Sequence, residues 1–176
     1  MGKTHFKDLS SESGYSVGAS GSETEVISST GKLTPVGIVQ LAVAVTDAAT
    51  YTVLAANSGK LHILPDLTAD CVISLPTAAA GLSYEFIYGG VAEDAHDVSF
   101  DTGSDTNFFL GGCVDFDDDD GTFGVVYPDG DSNSIVKIDT INAGTLIKLY
   151  CDGTNWYLSG TIISGTDTAT AFSDQS

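Results

Sequence analysis

From Val36 to Ile163 the chain is a succession of short runs, each stopped by Gly, Pro, Asn or Asp before it grows long. Within the runs apolar and polar residues alternate. Cys71, Ile73 and Leu75 share one face of a segment that stops at Pro76, and Leu82, Tyr84, Phe86 and Tyr88 share one face of the next. A period of two is what a half-buried strand requires, and turn signals spaced by roughly 8–12 residues belong to a sandwich or barrel. Helical periodicity is nearly absent; Thr77–Gly81 favours a helix but is too short to hold one alone.

The sharpest local pattern is Leu146–Gly160, two alternating strands around the polar loop Asp152-Gly153-Thr154-Asn155. A loop of that length sets Cys151 opposite Trp156 and Leu149 opposite Leu158. Leu149, Cys151, Trp156 and Leu158 then share an apolar face destined for the core, while Lys148, Tyr150, Tyr157 and Ser159 take the other. Further strands are expected at Gly37–Val45, Tyr51–Leu54, Lys60–Leu64, Val98–Phe100, Phe108–Leu110, Val114–Phe116, Phe123–Tyr127 and Ser134–Thr140. Gly89-Gly90 and Gly111-Gly112 read as turns or bulges. The expected fold class is all-β: one sandwich or barrel-like module of short antiparallel strands, spanning residues 35–163. A polar tail over 164–176 follows it. Residues 1–34, dominated by Ser, Thr, Gly and Glu, are too poor in apolar groups to offset chain entropy alone. They read as an extended N-terminal arm that orders on a partner, with His5, Phe6, Leu9 and Tyr15 as anchors.

Charge narrows the function. Among 176 residues there are 24 acids and six basic residues, all lysine, for a net charge of −18. A chain without arginine or a basic cluster is poorly suited to nucleic acid or to an anionic membrane surface. The charge fits solubility, or a basic partner surface. Residues 91–133 hold twelve of the acids and no lysine, and read as long exposed loops. Cys71, Cys113 and Cys151 lack metal-ligand spacing, and an odd count argues against a disulfide scaffold. No signal peptide, spanning segment or myristoylation pattern is evident, so the chain is expected to be made and kept in a cytoplasm until assembly or lysis.

No catalytic motif stands out. The histidines His5, His62 and His96 have no partner at ligand spacing, and neither a nucleophile elbow nor a phosphate loop is present. The best chemical candidate is calcium, on Asp129, Asp131 and Asn133, whose oxygens alternate as in a calcium loop. Ser134 and Thr140 stand where an EF-hand has Gly and Glu, so a solvated acidic loop is the favoured reading and no cofactor is assigned. The chain reads as a non-enzyme.

Two segments carry a resemblance. Asn57–Tyr88 runs turn, strand, turn, a strand ending in Leu75-Pro76, a small-residue turn, then Gly81-Leu82-x-Tyr84-x-Phe86; Asp152-Gly153-Thr154-Asn155-Trp156 follows later. Together they resemble β modules of tailed-phage virion proteins: head decoration proteins, head fibres and tail fibres. The opening Lys3-Thr4-His5-Phe6 also looks like the start of small phage structural proteins. No repetitive shaft is present, so the resemblance favours a capsid decoration, or cement, protein. It implies a homotrimer on the capsid surface of the virion, an arm lying along the major capsid protein, and a β module projecting outward. The alternative it leaves is a receptor- or glycan-binding fibre module, with Phe108, Phe109 and Tyr127 at the ligand.

Overall fold

Tyr84, Phe86 and Tyr88 point to one side of their strand and are buried, while Ser83, Glu85 and Ile87 on the other side are half-buried. The same alternation recurs along the chain, and the computed structural model is accordingly built of strands. It describes residues 15–17, 24–27, 42–90, 94–130, 132–165 and 170–175. The chain divides into two compact units, 1–40 and 41–176. The first contributes one antiparallel pair, β1 (Tyr15–Val17) with β2 (Thr24–Ile27). His5, Phe6 and Leu9 lie outside the described residues, and of Tyr15 only the backbone is described.

The second unit holds β3 (Val43–Ala44), β4 (Thr50–Thr52), β5 (Leu61–Leu64), β6 (Cys71–Ser74), β7 (Ser83–Tyr88) and β8 (Val98–Asp101). These are followed by β9 (Phe109–Asp117), β10 (Phe123–Val126), β11 (Ile135–Ile138), β12 (Leu146–Cys151), β13 (Trp156–Ser164) and β14 (Thr170–Ser173). They form a seven-stranded sheet, β10-β9-β13-β12-β7-β5-β3, and a five-stranded sheet, β14-β11-β8-β6-β4. The apolar inner faces of the two meet, as where the Phe86 and Phe100 rings contact edge to face at 4.9 Å.

The all-β sandwich is as expected, but its pairing is mixed rather than antiparallel. From β3 to β8 the chain alternates between the sheets, each strand returning beside the one before last. Val43 pairs in parallel with His62, Leu61 with Glu85, Thr50 with Val72, and Cys71 with Val98. The physical reason is packing between layers: alternate strands supply the two buried faces, Leu64 and Phe86 in one sheet and Ile73 and Phe100 in the other. Pro65 and Pro76 stop β5 and β6 at two of the five crossings. The remaining strands weave back antiparallel, except that β13 runs parallel to β9 along its whole length.

Two further expectations change. Phe108–Leu110 and Val114–Phe116 are parts of one nine-residue strand, β9, because Gly111-Gly112 is not a turn. A Cβ on Gly111 would sit 2.3 Å from the Leu158 oxygen, and one on Gly112 would sit 2.6 Å from the Val126 oxygen. The glycines let β9 pass closely between its neighbours. The tail expected over 164–176 is also no tail throughout: Ser164 closes β13, and Thr170–Ser173 is β14, paired with β11 at the edge of the smaller sheet. The closing hairpin matches its expected register. Cys151 faces Trp156 and Leu149 faces Leu158, all buried, while Tyr150 and Tyr157 are exposed.

Candidate functional site

The register that buries Trp156 and Phe86 dictates what the larger sheet turns outward. One row crosses six strands: Ile63, Ile87, Leu146, Thr161, Val114 and Val125. Beside it stand Ile163, Phe116 and Phe123, and beyond the far side lie Tyr150 and Tyr157. Phe123, Val125 and Tyr127 are 80%, 67% and 66% exposed. A sheet washed by solvent on one face alternates apolar inside with polar outside. The smaller sheet comes closer to this, turning Thr50, Thr52, Ser74, Ser99, Asp101, Lys137 and Ser173 outward beside Val72 and Ile135. The larger sheet does not, and a contiguous apolar outer face marks an interaction surface.

Charge is kept off this face. Its outward positions on β5, β7, β9, β10, β12 and β13 include two charged residues, Glu85 and Lys148, which lie on neighbouring strands and pair at 2.9 Å. Only Asp8, Glu12, Glu23 and Glu25 among the acids, and Lys3, Lys7 and Lys32 among the lysines, precede residue 42. The module from 42 onward therefore holds 20 acids against three lysines, and among the described strand positions of this face Glu85 is the one acid. A groove of about 350 Å³, lined by Val125, Val126, Tyr127, Asp129 and Phe172, opens between β10 and β14, the edge strands of the two sheets.

The acidic run has a structural employment. Asp117 accepts the Asp119 N–H at 2.9 Å and Asp120 accepts the Thr122 N–H at 2.8 Å, so these carboxylates build the turn from β9 to β10. At the proposed calcium loop, Asn133 Oδ1 accepts the Asp129 N–H at 3.0 Å; Asp131 lies outside the described residues. Among the described residues no three His, Cys, Asp or Glu side chains converge to hold a metal. Asp94, buried, instead ties a loop together. Its carboxylate accepts from the Leu67 N–H at 2.7 Å, the His96 N–H at 3.1 Å and the Tyr88 hydroxyl at 2.9 Å. Tyr88 also reaches Asp66 at 2.9 Å; burial, and then these two carboxylates, push its phenol far up.

The three cysteines are free and buried. Burial, with Asp115 nearby, pushes the Cys113 thiol up to about 12, which keeps it protonated and inert. Of the aromatic groups expected at a ligand, Phe109 is 1% exposed and belongs to the core, whereas Tyr127 is exposed. The exposed aromatic pair that sequence reasoning left undecided is Tyr150 beside Tyr157, whose hydroxyl donates to Asp152 at 3.1 Å. The outer-face row was missed because it joins strands distant in sequence; its signal was isolated apolar residues in the outer phase, such as Ile87 in β7, Leu146 in β12 and Ile163 in β13. Neither a family model, nor a curated protein, nor a solved structure matches the chain. Among the described residues no helix is long and apolar enough to cross a membrane.

Proposed function

We propose that this is a structural protein of an assembled particle, a capsid decoration protein that binds the outside of a virion shell and stabilises it without turnover. The observation that carries this reading is the apolar, charge-balanced outer face of the larger sheet on an otherwise strongly acidic module. Such a face is most stable when covered, and covering it stabilises whatever it covers by mass action. The segments that resemble phage β modules support the same reading. Leu75-Pro76 ends β6, and the Asp152–Trp156 turn joins β12 to β13, so both belong to the framework that presents this face. The major capsid protein is the proposed partner of residues 1–34, and the acidic turns face solvent.

The test is binding of the full-length protein, and of a version lacking residues 1–34, to purified shells that lack it. Saturable binding that needs the arm and raises the melting temperature of the shell is the expected result. No binding by either form refutes the reading. A second reading, a glycan-binding fibre module, draws on the Tyr150–Tyr157 pair with Asp152 beside it, an aromatic platform with a polar acceptor at its rim. A glycan array with wild type and Tyr157→Ala separates the two.

A further inference from the structure

We propose that a second copy of this chain docks on the outer face of the larger sheet, sheet against sheet, about a two-fold axis. This rests on the function proposed above and names what covers the face, a two-fold partner in place of the homotrimer that the resemblance implies.

Electrostatics selects the occupant. Two copies of a chain of charge −18 repel wherever acidic surfaces meet. On this face the Glu85–Lys148 pair leaves no net charge among the outward strand positions, so it is where like copies approach at least cost. A basic partner would find its complement at the acidic turns, not here. The pair is also self-complementary. Glu85 on β7 and Lys148 on β12 are neighbours in register, near the middle of the seven strands. A two-fold axis running between β7 and β12, parallel to them, sets Lys148 of each copy over Glu85 of the other. The same operation lays Leu146 over Ile87 and Thr161 over Ile63, and leaves Phe123 and Val125 on β10 wrapping the far edge. That is an isologous contact, in which one patch serves both subunits.

Area permits it. The six strands that overlap, β9 to β3, are about 4.8 Å apart and about six residues long at about 3.3 Å per residue, and cover roughly 480 Å² in plan. With side-chain relief and the flank of β10 this makes a small interface, below the roughly 800 Å² per partner of a standard one, which dilution is expected to dissociate.

The experiment is light scattering coupled to size exclusion on the full chain, over a dilution series from micromolar to near-millimolar. Wild type is compared with Lys148→Glu, with the double swap Glu85→Lys/Lys148→Glu, and with Val125→Glu. Wild type is expected at twice 18.1 kDa at the concentrated end of the series. Lys148→Glu sets acid over acid and weakens association at least tenfold, while the double swap restores it. Val125 is 67% exposed, so Val125→Glu tests the face even if a Lys148 variant fails to fold. Raising salt strengthens the dimer, because it screens the repulsion of the rest of the two modules. A monomer at every concentration overturns the proposal, as does a trimer, or a dimer indifferent to Lys148→Glu and Val125→Glu. Loss of shell binding by the intact dimer refutes the function and spares the dimer.

Discussion

His62 is 0% exposed, stacked on Phe86 at 4.8 Å and edge-on to Tyr84 at 5.6 Å and Tyr51 at 6.5 Å. Its Nδ1 lies 3.3 Å from the Lys60 oxygen and its Nε2 has no hydrogen-bond partner. Burial holds its basicity below the ordinary 6.5; the Lys60 and Glu85 backbone opposes this weakly, and the Lys60 charge adds to it. As pH falls, the unfolded chain therefore takes up this proton before the folded one does. Stability is complete above 6.5 and declines below it. For an imidazole that stays neutral when folded, the loss between pH 7.5 and pH 5.5 is about 1.4 kcal/mol. His62→Phe keeps a ring in the aromatic cluster and removes both the proton site and the orphaned nitrogen. The larger ring shifts stability by up to about 3 kcal/mol, but equally at both pH values. The readout is thus a difference of differences: urea unfolding of wild type and His62→Phe at each pH, compared through midpoint and slope. Wild type is expected to lose more stability than the variant on acidification, with about 1.4 kcal/mol as the upper limit. Equal losses would refute the argument and mean that this imidazole is solvated, or protonated, in the folded state.

Trp156 is wholly buried with an unpartnered Nε1, so Trp156→Ala should cost about 3–5 kcal/mol in chemical denaturation. Trp156→Phe removes the orphaned donor as well as volume, and should come within about 1.5 kcal/mol of wild type. Gly160 has φ +149°, and a Cβ there would meet the Leu146 oxygen at 2.0 Å; Gly160→Ala should cost about 2–6 kcal/mol, seen as a fall in melting temperature. Partial burial raises the Asp97 carboxyl, but the Lys137 ammonium at 2.7 Å and the Thr140 N–H outweigh it and leave it below 3.8. Asp97 therefore stabilises the fold above that pH, and the contribution is lost as pH falls through its lowered value. Lys137→Met should cost about 0.5–1 kcal/mol at pH 7, with the gap to wild type narrowing in strong acid, measured by pH-dependent urea midpoints.

What the sequence disclosed was local. Period-two burial placed β5 to β8, and loop length alone set the register of β12 against β13. Parallel winding was hidden because its pairs, such as Cys71 with Val98, are chosen by packing between layers and not by any adjacent turn. Gly111-Gly112 misled because a glycine that admits a neighbouring backbone looks in sequence like one that turns the chain. Thr170–Ser173 escaped because an edge strand needs only Phe172 against the core. The outer face was partly legible: Tyr150 and Tyr157 were expected there, but Ile63, Ile87, Val114 and Val125 become one surface only when β5, β7, β9 and β10 enter the same sheet.

The winding of β3 to β8 also gives the module a mechanical grain. Tension applied from the β3 side meets the outermost strand of each sheet, β3 and then β4, and peels the coil one turn at a time, few hydrogen bonds bearing the load at once. Tension from the other side lifts β14 and then reaches β13, held along its length between β9 and β12, where the ladders must shear together. One end of the module is thus expected to yield gradually under force, and the other to resist until its ladders fail together.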